Sequence, residues 1–237
     1  MATHPPGDLA GAVAALAGTP DFASIVDRRL ADIARLTAQR VAPASYASIT
    51  ALHGWSPVTV SVSEELIREV DEAQYADDAG PCLEALRTGT PVAVPDTAAT
   101  VQWPGFHEAA PRLGLRASVS LPLYAGRGEP IAVLNVYGRD RSAMAPLIMT
   151  IESLHAPARG RAGEHGDLPA LDDGSQELVT GYAEALSIRA TIKLALSVIM
   201  AGNRCTAEDA YVSLCIRAGE AGVDPGVAAV ALLGSRP

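Results

Sequence analysis

The side chains that could do chemistry in this 237-residue chain are few and scattered. Cys82 follows Gly80-Pro81 at the expected start of a short helix, where the dipole could lower its pKa and yield a redox or ligand-binding thiol. The competing reading is a small buried residue filling a helix start, the common fate of free cysteine. Cys205 and Cys215 lie far away and form no CxxC pair, which suits a reducing cytoplasm. His4, His53, His107, His155 and His165 show no His-x3-His spacing and no His/Cys/carboxylate grouping, so no metal is expected. Glu64-Glu65, Asp71-Glu72 and Asp77-Asp78 are read as solvated helix and loop carboxylates, uncoupled to any base or nucleophile. There is no Walker motif, and no lysine precedes Lys193 to complete a phosphoacceptor site. A thiol enzyme built on Cys82 is a poor reading, the chain is expected to be no enzyme, and no cofactor is identified.

The cations lead to the elements that must position them. Arg189 and Lys193, one turn apart, form the polar edge of Ser187–Met200, a segment apolar on almost every other side. Ile188, Ile192, Ala195 and Ile199 recur at helical spacing, and so greasy a helix must be covered on more than one side. Gly202-Asn203 breaks it. Thr206 then caps a second helix with Glu208 and Asp209 in its first turn and Ala210, Tyr211, Leu214 and Ala218 inward. Asp224-Pro225 starts a third, over 226–233. Three helices in roughly 50 residues sit near the lower limit for independent folding, so the unit needs a partner surface.

Arg189-x-x-Ile192-x-x-Ala195-x-x-x-Ile199-Met200, Thr206-x-x-Asp209-Ala210-Tyr211-x-x-Leu214 and Val227-Ala228 together resemble the ANTAR domain, the RNA-binding output module of bacterial transcription antiterminators. The resemblance covers about 186–233. It implies that Arg189, Lys193, Arg204 and Arg217 contact the phosphates of an RNA stem-loop in a nascent transcript. Ser197, Gly202 and Cys215 depart from the pattern, which usually has glycine at the first and basic residues at the other two. Cationic contacts supply most of the affinity for nucleic acid, and here the residues from Glu177 to Pro237 sum to −1.

The whole chain carries −9, leaving −8 on the preceding residues, an acidic body that does not attract nucleic acid by itself. The opening 1–20 lacks usable periodicity and is read as a flexible tail, with no targeting segment and no membrane span. Phe22, Val26, Leu30, Ile33, Leu36 and Val41 place one stripe on a helix beginning at Asp21. Stretches 44–52 and 58–63 read as a hairpin, 64–75 as a helix with Leu66, Ile67 and Val70 inward, and Pro81 as the start of a helix stopped by Gly89. Residues 91–94 read as a buried strand and 103–113 as a helix. Ala117, Val119, Leu121 and Leu123 alternate with Ser118 and Ser120, a strand with one wet face, followed by a strand over 131–137 and a helix over 143–155. The class is α+β: an antiparallel sheet flanked by helices, then a three-helix unit.

Gly80-Pro-Cys-Leu-Glu-Ala-Leu-Arg-Thr-Gly-Thr-Pro-Val92, Trp103-Pro-x-Phe106, Leu113-Gly-Leu-Arg116, Ser120-Leu-Pro-Leu123 and Ile131-Ala-Val-Leu-Asn-Val136 are similar to the GAF domain, a small-molecule sensor. The resemblance implies a sensor over 21–156, a linker over 157–176 and an output module over 177–237. Cys82, Trp103, Phe106, Tyr124, Asn135 and Tyr137 are the candidate lining of a ligand pocket, with plain core packing as the competing reading. Two functions stay open. One is a cytoplasmic, homodimeric antitermination regulator that senses a small ligand or partner and binds RNA but not DNA. The other is a sensing and dimerisation module whose output helices have lost RNA binding.

Overall fold

Two contiguous β hairpins dominate the middle of the chain, and their alternation decides both layers around them. The structure, a computed structural model, describes residues 8–54, 56–155 and 170–234. Strands β1 (Tyr46–His53), β2 (Ser56–Val62), β3 (Val92–Val94), β4 (Ala117–Ala125) and β5 (Glu129–Gly138) form one antiparallel sheet in the order β2-β1-β5-β4-β3. Side chains alternate across it. Ala47, Ile49, Val119, Leu121, Leu134 and Val136 fall on one face and join a large apolar core. That core is completed by helices α1 (Leu9–Ala17), α2 (Val26–Arg40), α6 (Arg141–His155) and the first half of α7 (Asp173–Asn203). The other face is covered by a 3-10 turn (Glu65–Ile67) with α3 (Arg68–Ala76), α4 (Pro81–Thr88) and α5 (Pro104–Arg112). The α+β architecture thus agrees with the reading from the sequence.

Several elements differ from it. Residues read as a tail form α1, in which Leu9, Val13 and Leu16 are buried and Asp8 caps the N-terminus by accepting from Gly11. Ala and Gly hid this helix because α1 is apolar all round and therefore has no stripe to detect. Its partner is α7, approached so closely that a methyl on Gly181 would lie 2.5 Å from the Ala10 carbonyl oxygen. Helix α2 starts at Val26, five residues after the expected Asp21, leaving Phe22 74% exposed. Leu66, expected inside, is exposed as well, whereas Ile67 and Val70 are buried. Strand β3 is only half-buried, being the sheet's edge. Of the stretch read as a linker, 157–169 lies outside the described residues, and the remainder includes the buried Gly174 and Ser175 of α7.

Helix α7 runs 31 residues and serves two cores. Leu178, Val179, Tyr182 and Ala185 pack with the sheet and α1, whereas Ile192, Ala195, Leu196 and Ile199 pack with α8 (Ala207–Ala221) and α9 (Pro225–Gly234). By length and composition α7 could cross a bilayer. Those eight side chains are instead covered by protein. At the α7–α8 corner Arg204 adopts a left-handed φ of 53°, and Thr206 and Asp209 form a reciprocal capping box that starts α8.

Candidate sensory core and output interface

The face of the sheet read as wet is dry, and its polar side chains largely hydrogen-bond one another, Ser118 Oγ alone on β4 being buried without a partner among the described residues. Strand β4 is buried along its whole length. The register sets Ser48, Asn135 and Ser120 side by side across β1, β5 and β4, and Thr50 opposite Thr59 across β1 and β2. Above them α3 contributes Asp71 and Tyr75, spaced four residues apart and so on one side of the helix. Ser120 Oγ donates to Asn135 Oδ1 at 2.9 Å, and Asn135 Nδ2 donates to Ser48 and Thr50 at 3.1 Å each. Tyr75 Oη lies 2.8 Å from both Thr50 and Thr59, Thr59 donates to Asp71 Oδ2 at 3.0 Å, and Tyr137 donates to Asp71 Oδ1 at 2.7 Å.

Counting protons orients this chain of bonds. Thr59 spends its hydrogen on Asp71, so Tyr75 donates to Thr59 and accepts from Thr50, which in turn accepts from Asn135. An ionised Asp71 accepts from both Thr59 and Tyr137 and so fits this direction. Burial pushes the Asp71 carboxyl up to about 6, with hydrogen bonds from Tyr137 and Thr59 pulling against it. Burial likewise raises the Tyr75 and Tyr137 phenols, which keeps both protonated as donors. A buried, self-satisfied network of this kind rigidifies a core, and its weak point is any member whose protonation changes.

The six residues expected to line a pocket separate into different environments. Trp103, Phe106 and Tyr137 belong to the apolar cluster under α5, with Trp103 and Phe106 edge to face at 6.3 Å. Cys82 sits at the second position of α4 with its amide donating to Gln74 Oε1, and burial raises its thiol instead of the dipole lowering it. Asn135 is the hub of the polar network. Tyr124 is re-aimed by a register shift between Leu123 and Tyr124, so both join the core on the opposite face. Asp71, read as solvated, is fully buried, and Tyr75, Thr50 and Thr59 were not singled out. The usable signal was the repeated placement of hydroxyl and amide residues at alternate positions of strands that are otherwise mostly apolar.

Tyr124 leads to the second feature, the contact of α7 with the β4–β5 turn. Glycines at 126 and 128, with φ of 59° and 79°, let that turn close under the helix. Arg189 Nε donates to the Gly128 carbonyl at 2.8 Å and its guanidinium lies 4.3 Å from the Tyr124 ring centroid. Tyr124 stacks on Tyr182 of α7 and donates to the Gly89 carbonyl at the end of α4. Lys193 Nζ pairs with Glu129 Oε1 at 2.9 Å. Arg204 and Arg217 are exposed elsewhere on the helical unit and carry no ion pair among the described residues. No contact joins the four cations expected to meet phosphate. Two of them grip the sheet's own turn.

A family profile described as GAF domain matches residues 21–150, more than half of the chain. The chain belongs to the GAF family. Among solved structures, the GAF domain of A. aeolicus nlh2 in an inactive state shares 13% identity at a TM-score of 0.42, covering 62% of this chain and 88% of that one. A domain from a two-component sensor histidine kinase protein of Sinorhizobium meliloti 1021 shares 13% identity at a TM-score of 0.38, covering 70% and 89%. No curated protein matches the sequence. The GAF match ends at residue 150, so α7–α9 lie beyond it.

Proposed function

We propose that this GAF protein is a cytoplasmic signal-responsive regulator without enzymatic activity, whose helical unit α7–α9 is an ANTAR-like module that binds an RNA hairpin and opposes transcription termination. The observation that carries this reading is the engagement of Arg189 and Lys193 by the β4–β5 turn. It gives the sensor a direct hold on two cations that RNA phosphates would need. The ANTAR-like apolar positions support it too, because Ile192, Ala195, Ile199, Ala210, Tyr211, Leu214 and Ala228 make up the module's core. Exposed Leu194, Val212 and Ile216 suit a homodimer. A ligand or partner recognised by the GAF domain would shift the balance between held and released cations. The second reading, output helices that only dimerise, is favoured by the module's net −1 and by the same cations being occupied.

A hairpin-RNA shift assay across a salt series separates them. Weakening the grip with Tyr124→Leu plus Glu129→Gln is expected to tighten RNA binding about tenfold, within the range of ordinary intramolecular coupling. Arg189→Ala plus Lys193→Ala is expected to weaken it strongly and to lower the salt slope by about two, one for each phosphate contact removed. Equal failure of all three proteins to bind would select the dimerisation reading.

A further inference from the structure

Three arginines, Arg116, Arg139 and Arg141, meet at one end of the sheet around a cleft of about 870 Å³ between the segment after β3 and the start of α6. Ala117 pairs with Gly138, and the Arg116 amide donates to the Gly138 carbonyl at 2.8 Å, so Arg116 on entry to β4 stands level with Arg139 on exit from β5. Like charges opposite each other on neighbouring strands are destabilising, and an anion between them removes that penalty. The carboxylates beside them are already engaged. Asp96 accepts from Arg141 and from the Ala98 amide, and Asp140 caps α6 by accepting from the Ser142 amide and hydroxyl and the Ala143 amide. Tyr46 fixes Arg139 without neutralising it, accepting from Nη2 at 2.6 Å with its ring centroid 5.1 Å from the guanidinium. Arg116 has neither an ion pair nor a side-chain hydrogen bond among the described residues. Three arginines against two carboxylates leave the cleft positive, in a chain of net charge −9. Two neighbouring guanidinium groups present more donors than the two oxygens of a carboxylate can use, whereas a phosphoryl group presents three oxygens to them.

We infer that this cleft is a binding site for a small phosphomonoester, its phosphoryl group on Arg116 and Arg139 and its organic body against the apolar lining of Pro95, Ala145 and Ile148. The site shares no residue with the Asp71 network or with the Arg189 contact, and it stands whether or not the module binds RNA. Ile148 also belongs to the core that the first half of α7 enters, so an occupant touches an element packed with that helix.

Calorimetric titration of the full chain with phenyl phosphate tests the assignment, with phenol, benzoate and inorganic phosphate as controls. Saturable binding of one phenyl phosphate per chain is expected. Phenol, which lacks the charge, and benzoate, which has fewer oxygens, are expected to bind at least about tenfold more weakly. Inorganic phosphate is expected to be about tenfold weaker for want of apolar contact. Arg116→Gln removes one guanidinium, and Ala98→Glu adds a carboxylate to the cleft; both positions are exposed, so neither change threatens the fold. Each variant is expected to weaken phenyl phosphate at least about tenfold. Arg28→Gln, an equal loss of charge at an exposed position of α2, is expected to leave the affinity unchanged. Absence of saturable binding, wild-type affinity in Arg116→Gln or Ala98→Glu, or an equal loss in Arg28→Gln would overturn the inference. Phenol or benzoate binding as tightly as phenyl phosphate would reject the phosphoryl assignment, and inorganic phosphate doing so would reject the organic body.

Discussion

Asp71 is the residue on which the sensor's interior turns. Its folded-state pKa is raised by burial from 3.8 to about 6, so between those values the folded chain keeps a proton that the unfolded chain has released. The contribution of this group to stability is therefore complete below about pH 4, declines as pH rises toward 6, and stays lost above it. An Asp71→Asn protein, which can still accept from Tyr137, lacks that decline. Its stability relative to wild type is expected to rise by about 2 kcal/mol between pH 4 and pH 7 in denaturant titrations. A difference that does not change with pH would contradict the buried, ionised assignment. Little of this was legible beforehand. Asp71-Glu72 looks like any solvated pair, and only the register of β1 and β5 under α3 separates the buried carboxylate from its exposed neighbour.

Helix α7 shows the same division between pattern and context at the scale of an element. Its second half was readable from Ile192, Ala195 and Ile199, and Thr206 was readable as the next cap. Its start was not, because Gly174 and the neighbouring serine look like linker composition, and Gly181, assigned to the output module, falls outside the apolar repeat that marks the second half. In fact both glycines mark close approaches, Gly174 against the Arg40 backbone and Gly181 against Ala10. Gly202, in the same helix, has open space around it. The two positions should respond oppositely to alanine. Gly202→Ala is expected to stabilise by about 0.5–1 kcal/mol through helix propensity. Gly181→Ala is expected to destabilise despite the same propensity gain, because backbone atoms of α1 cannot yield as a side chain can. Thermal melts of the two variants measure this, and stabilisation by both would show that α1 does not sit on α7 as described.

In the whole molecule the first and last elements hold each other. Leu9, Val13 and Leu16 bury themselves largely against α7, so deletion of residues 1–20 should remove several kcal/mol, at about 2 kcal/mol for each large apolar side chain. The expected result is a much lower melting temperature together with dye binding to newly exposed apolar surface. A truncated protein as stable as the full chain would mean that α1 is dispensable. The same long-range packing carries Arg189 and Lys193 to the β4–β5 turn, 61 and 64 residues away in sequence. Local reading could establish what spacing and periodicity encode: the GAF-like order of strands and helices, the three C-terminal helices, their caps, and the scarcity of catalytic groupings. Such features depend on neighbours within a turn or a strand. Which face of β4 is dry, which carboxylate is buried, where Tyr124 points and what the cations of α7 touch depend on residues dozens of positions apart. Those contacts exist only once the sheet has closed and the helices have covered both of its faces.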